Sequence, residues 1–167
     1  MRVVASIIFP NRVGGRSKLE RLITSPKGLM EALEEFCAYN SDFLRKFPRL
    51  PDIYKAGVRY EAEPPGQEDW LTYPVLIEDR VGDCEDLACA RVAKLRQRGE
   101  HGAKPYLYHK NRLWHVMVQR GDGRIEDPSA VLGMYNPRAD ISGLSPETKE
   151  KMAMVAGIHR RLGVYDE

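Results

Sequence analysis

Gly82-Asp83-Cys84-Glu85-Asp86-Leu87-Ala88-Cys89-Ala90-Arg91-Val92-Ala93-Lys94-Leu95 is the stretch whose reading decides the fold. Cys84, Leu87, Ala88, Val92 and Leu95 stand at i, i+3, i+4, i+8 and i+11, the spacing of one helical face, and Gly99 offers a stop. A helix therefore opens on Cys84 and carries it on the buried stripe. Such a cysteine has two readings. As a small hydrophobe it simply fills a core, which is also how Cys37 and Cys89 are read. As a nucleophile it must become a thiolate, face a base and have that base oriented by a third group. A helix N-terminus favours the second reading, because its partial positive charge lowers a thiol pKa below the usual value of about 8.5. It also leaves the Cys84 N–H free to serve as an oxyanion donor.

The base and its orienting group lie downstream. After Gly102 the pattern becomes extended over Ala103–His109, Arg112–Arg120 and Arg124–Asp127, joined by Lys110-Asn111 and by Gly121-Asp122-Gly123, so an antiparallel meander is expected. His115 shares a strand face with Leu113 and Met117, while Trp114, Val116 and Val118 point the other way. Only one register brings Asp127 to the His115 face. A two-residue turn at Asp122-Gly123 sets Asp127 opposite Val118, on the wrong face. A three-residue loop from Gly121 to Gly123 pairs Arg120 with Arg124 and sets Asp127 opposite Met117, diagonal to His115 at about 7–8 Å. Cys84, His115 and Asp127 are thus the candidate triad: nucleophile, base and orienting carboxylate.

Gly82-Asp83-Cys84-Glu85-Asp86-Leu87-Ala88 resembles the nucleophile motif of transglutaminase-like cysteine enzymes of the papain-like superfamily. Upstream, Glu68-Asp69-Trp70-Leu71-Thr72-Tyr73-Pro74 is similar to the Asp-Tyr-Trp-Ala-Thr-Pro segment of the bacterial transglutaminase-like cysteine proteinases, with Thr72 where that pattern has Ala and Tyr73 where it has Thr. His115-Val116 and Asp127-Pro128-Ser129 resemble the His and Asp blocks, so the likeness covers roughly residues 60–135. The resemblance implies an α+β fold in which the nucleophile helix packs on an antiparallel sheet, with residues 1–167 forming one transglutaminase-like domain. It implies a cysteine-dependent hydrolase or acyltransferase acting on amide bonds (a peptidase, deamidase or transglutaminase-type enzyme) with a protein or peptide substrate, peptidoglycan peptides included. The alternative is a non-catalytic binding or phage virion-assembly protein that keeps the fold, since small stand-alone members are encoded by tailed phages and prophages. The superfamily draws its second oxyanion donor from upstream of the cysteine, which makes Gln67 and Trp70 the candidates beside the Cys84 N–H. The triad requires no cofactor. In the resembling proteinases the acids flanking the cysteine hold calcium, which makes Asp83 and Glu85 candidate calcium ligands.

The remaining sequence frames this core. Arg2 to Phe9 reads as a strand stopped by Pro10. Ser25 as N-cap and Pro26 at the first helical position open a long helix that runs to Pro48, with a break expected near Asn40. Residues 48–82, punctuated by Pro48, Pro51, Pro64, Pro65 and Pro74, read as mostly loop. A last helix is expected from Ser145-Pro146 to Leu162, and Arg91, Lys94, Arg96 and Arg98 read as a solvated helix face. In the 167-residue chain, 26 Lys+Arg against 24 Asp+Glu leave a net charge of +2, which gives no support to dedicated nucleic-acid binding. Val3 to Phe9 is too short for a membrane span or a signal-peptide core, so a cytoplasmic or virion-associated protein without membrane partners is expected.

Overall fold

The computed structural model describes residues 4–8, 25–63, 67–110 and 113–134. In chain order the elements are β1 (Val4–Ile8), α1 (Pro26–Lys46), a 3₁₀ turn (Ile53–Lys55), β2 (Arg59–Tyr60), β3 (Gln67–Leu71), α2 (Tyr73–Asp79), β4 (Val81–Gly82), α3 (Cys84–Gln97), β5 (Lys104–Lys110), β6 (Leu113–Gln119), β7 (Ile125–Glu126) and α4 (Pro128–Val131). Among the described residues the strands form three small sheets: antiparallel β1–β3, parallel β2–β4 and the antiparallel meander β5–β6–β7. The architecture is α+β. The helix expected from Ser145 to Leu162 lies outside the described residues.

Ser25 caps α1 as its sequence requires, its hydroxyl accepting from the Gly28 N–H at 3.0 Å with Pro26 in the first turn. No break occurs at Asn40. That side chain is fully buried, and its Oδ1 accepts the Tyr73 N–H at 2.8 Å, so the polar group that argued for an interruption is used to seat the start of α2. Helix α2 itself corrects the expectation of loop over 48–82. Thr72 precedes it, Pro74 lies in its first turn, and Arg80 ends it in the left-handed conformation at φ 60°. Its Tyr73 is wholly buried and donates its hydroxyl to the Pro51 carbonyl at 2.7 Å.

Helix α3 runs through the middle, buried at every residue from Cys84 to Leu95. One side packs in a cluster with Leu33, Phe36, Cys37, Trp70, Val116 and Val118; the other meets Leu44, Ile53, Tyr73 and Leu76. Each fully buried aliphatic side chain of this kind contributes about 1.5–3 kcal/mol of transfer free energy. Central burial overturns the solvated-face reading at Arg91 and Lys94, while Arg96 is half-buried and Arg98 is exposed as that reading expects. Arg91 and Lys94 are buried, Arg91 between Asp52 and Glu126 and Lys94 against the Leu50 carbonyl at 2.7 Å, while Arg96 holds Glu34 and Arg98 holds Asp52. A helix with neighbours on all sides keeps long cations only where each finds an acceptor.

Gly82 explains its place in the motif by close packing. A Cβ there would lie 2.5 Å from Leu76 Cδ1 and 3.1 Å from Asp86 Cβ, so any side chain at this position would have to displace Leu76 and crowd Asp86. The β6–β7 register is the one strand parity selects: Val118 faces Glu126, Gln119 faces Ile125, and the Arg120 N–H donates to the Arg124 carbonyl at 2.8 Å. The three-residue loop turns on Gly123 at φ +90°. Strand β7 stops at Glu126, one residue earlier than expected, because Asp127 leaves it to cap α4. None of the described helices is long and apolar enough to cross a membrane.

Candidate active site

His115 sits on β6 opposite Tyr108 of β5, with its side chain fully buried. Its Nε2 lies 2.7 Å from Asp127 Oδ2, and neither side chain is exposed to solvent. An ionised carboxylate only accepts, so this bond assigns the proton to Nε2 and leaves Nδ1 as the basic nitrogen. Nδ1 is buried and has no hydrogen-bond partner among the described residues. Asp127 is held in turn, since its Oδ1 accepts the Ala130 N–H at 3.2 Å as the N-cap of α4. The local cause is the Asp-Pro pair: Pro128 starts a helix, and the preceding aspartate caps it with one oxygen while the other faces the imidazole.

Cys84 is the first residue of α3 and is buried, 7 % exposed as a residue. The thiol donates to Glu85 Oε2 at 3.1 Å. The other acids of the first turn are tied into the fold. Asp86 accepts the Leu71 N–H at 2.7 Å through Oδ1 and the Asp83 N–H at 3.3 Å through Oδ2, fastening β3 to the helix N-terminus. Burial, followed by the neighbouring Glu85 charge, pushes the Asp86 carboxyl well above the ordinary aspartate range, and the two backbone donors only partly offset this.

No known protein family, curated protein or solved structure matches this chain.

Of the upstream oxyanion candidates, Trp70 is buried in the same cluster as Cys84 and packs against Phe36 with ring centroids 5.3 Å apart. Gln67 begins β3 opposite Ile8, and its side chain lies outside the described set. A residue the sequence does not signal joins them. Tyr60 is paired with Gly82 in the parallel β2–β4 ladder, and its own N–H donates to the Leu132 carbonyl at 2.9 Å, so it is pinned between the strand entering Cys84 and the segment that follows Asp127. Burial pushes its phenol up, and Cys84, Asp83, Glu85 and Asp127 add to the rise in that order. The phenol is thus held neutral, while the backbone of Tyr60 is what ties the two segments together. Two-residue strands carry no periodic pattern, which is why sequence reading passes over Tyr60.

Toward calcium, Asp83 and Glu85 offer two carboxylates. Calcium takes six to eight oxygens, whereas among the described residues no group of three or more His, Cys, Asp or Glu side chains is placed to hold a metal ion. Glu85 is engaged by the Cys84 thiol.

Proposed function

We propose that this chain is a cysteine-dependent hydrolase or acyltransferase acting on amide bonds of a protein or peptide, built on a papain-like, transglutaminase-like core. The observation that carries the reading is the buried His115–Asp127 pair at 2.7 Å with Nδ1 left unpartnered, on a strand against which the Cys84 helix packs. Cys84 as thiolate attacks the amide carbonyl carbon. As the C–S bond forms, the carbonyl oxygen takes the negative charge, which the Cys84 N–H stabilises together with an upstream donor, Trp70 or Gln67. Cleavage of the C–N bond then expels the amine, which leaves with the proton His115 received from the thiol. The thioester passes its acyl group to water, giving a peptidase or deamidase, or to a lysine amine, giving a crosslink. Asp127 holds the imidazole tautomer throughout.

One contact favours the alternative, a binding or virion-assembly protein retaining the fold: the thiol donates to Glu85, an acceptor that opposes its ionisation. Labelling separates the two. An electrophilic peptide probe at pH 7, read out by mass spectrometry, is expected to modify Cys84 far faster than the buried Cys37 and Cys89. His115→Ala is expected to slow that labelling and to cut turnover of amide substrates, peptidoglycan peptides among them, about 10²–10⁴-fold. Equal labelling of the three cysteines, unchanged in His115→Ala, removes the enzyme reading.

A further inference from the structure

Arg91 follows Cys84 by two turns of α3 and so lies on the same helix face, about 10.5 Å along the axis. There it meets the neighbour of the other functional carboxylate. Its Nε bonds Glu126 Oε1 at 2.5 Å, and Glu126 immediately precedes Asp127. Glu126 is gripped from two further elements, by the Tyr54 hydroxyl at 2.6 Å and by Arg120 Nη1 at 2.8 Å. Arg91 is braced from behind by Asp52 at 2.8 Å and lies over the Tyr54 ring, its guanidinium carbon 4.8 Å from the centroid. Arg120 continues the chain to Glu100.

Strand β7 is only two residues long, and its ladder with β6 is too short to fix the strand's position by itself. Something else must set where Asp127 stands relative to the nucleophile helix. We propose that the Glu126 cluster is a positioning clamp: by locking α3 to β7 two turns below Cys84, Glu126 sets the height of the His115–Asp127 pair against the thiol. This rests on the cysteine-enzyme reading above. Bidentate recognition by Arg91 suits the task, because a planar fork fixes direction as well as distance, and three partners leave Glu126 no alternative rotamer. Glu126 and Arg91 are therefore positioning residues that act through Asp127 and His115.

The test is the pH profile of Cys84 alkylation by iodoacetamide in the full chain, for wild type, Glu126→Gln and Tyr54→Phe. Tyr54→Phe leaves every carboxylate and guanidinium in place, so a change there reports position rather than field. Glu126→Gln is expected to lower the rate at pH 6 about tenfold, equivalent to raising the apparent thiol pKa by about one unit, while the rate at pH 10 stays within about twofold. Tyr54→Phe should move the profile in the same sense by less, and it decides the matter should Glu126→Gln fail to fold. Wild-type profiles in both variants, even with lowered melting temperatures, overturn the clamp and leave the enzyme reading standing. A wild type with no acidic limb, labelled at Cys84 no faster than at Cys37 and Cys89, overturns both.

Discussion

The two ends of α3 handle charge in opposite ways. The first turn brings Asp83, Cys84, Glu85 and Asp86 together out of water, with backbone N–H groups donating to Asp86 and a carboxylate as the acceptor for the thiol. Farther along, Arg91, Lys94, Arg96 and Arg98 each reach a carboxylate or carbonyl. Burial alone would lower Arg91, yet Glu126 and Asp52 outweigh it and hold the guanidinium above its ordinary range. One end is stable because its charges are matched. The other carries electrostatic strain, because burial and then the neighbouring Glu85 charge oppose ionisation of Asp86. The comparison teaches that the two ends of one helix hold buried charge by different means, one by matched side-chain partners and the other by backbone donors, and so should answer differently to the removal of a charge.

The largest stability effect is expected at the matched end. Arg91→Leu leaves Asp52 and Glu126 without their shared cation in a setting where the Arg91 side chain is only 10 % exposed. Removing one partner of a buried network costs about 3–5 kcal/mol. Denaturant unfolding should register that loss. A change below about 1 kcal/mol would mean that Arg120 and Arg98 suffice as counter-charges, and the contrast between the two ends would lose its basis.

Asp86→Asn probes the strained end and should have an intermediate effect. Its folded-state pKa is raised, so the stability this group contributes is fully present below the ordinary aspartate value of 3.8 and is lost as pH rises through the folded value. Asparagine keeps an acceptor for the Leu71 N–H but not for the Asp83 N–H, a loss of about 1 kcal/mol at low pH. Between pH 4 and pH 8 the variant should therefore lose less stability than wild type, with the two curves converging or crossing. Parallel curves from unfolding series at several pH values would show that the first turn carries no strain.

Much of this was legible in the sequence, for reasons that differ by element. The helix from Cys84 follows from its apolar spacing and Gly99, and the β6–β7 register follows from the glycine loop and strand parity, because both are local rules acting on contiguous residues. The expectation that Asp127 would face His115 rested on that register. The partners of Arg91, Lys94 and Glu126 were not legible. Arg91 reads as a solvated cation on any helical wheel, and only the packing of the 3₁₀ turn and β7 around α3 reveals two carboxylates and a carbonyl waiting there. Helix α2 hid behind Pro74, whose role as a helix starter is indistinguishable from loop punctuation among so many prolines. Tyr60 and the thiol contact of Glu85 depend on tertiary pairing that leaves no periodic trace.

The smallest effect is expected at Glu100, just beyond the end of α3, where the matched network reaches the surface. Arg120 binds both its oxygens, at 2.7 and 2.6 Å, and the Gly121 N–H adds a third bond at 2.9 Å. The Arg120 hydrogen bonds and then the Gly121 N–H hold the Glu100 carboxyl down at about 2, against an ordinary 4.5. A lowered pKa gives stability that is present above the ordinary value and lost as pH falls toward the folded one, so the pair should weaken from about pH 4.5 down to about pH 2. Its side chain is 26 % exposed, and solvent screening reduces the contribution to about 0–1 kcal/mol. Glu100→Gln should accordingly flatten the acid limb of the unfolding curve slightly, leave stability at pH 7 lower by no more than that amount, and leave the alkylation profile of Cys84 unchanged. A shifted Cys84 profile would mean that the clamp does not end at Glu126 but extends through Arg120 to the surface.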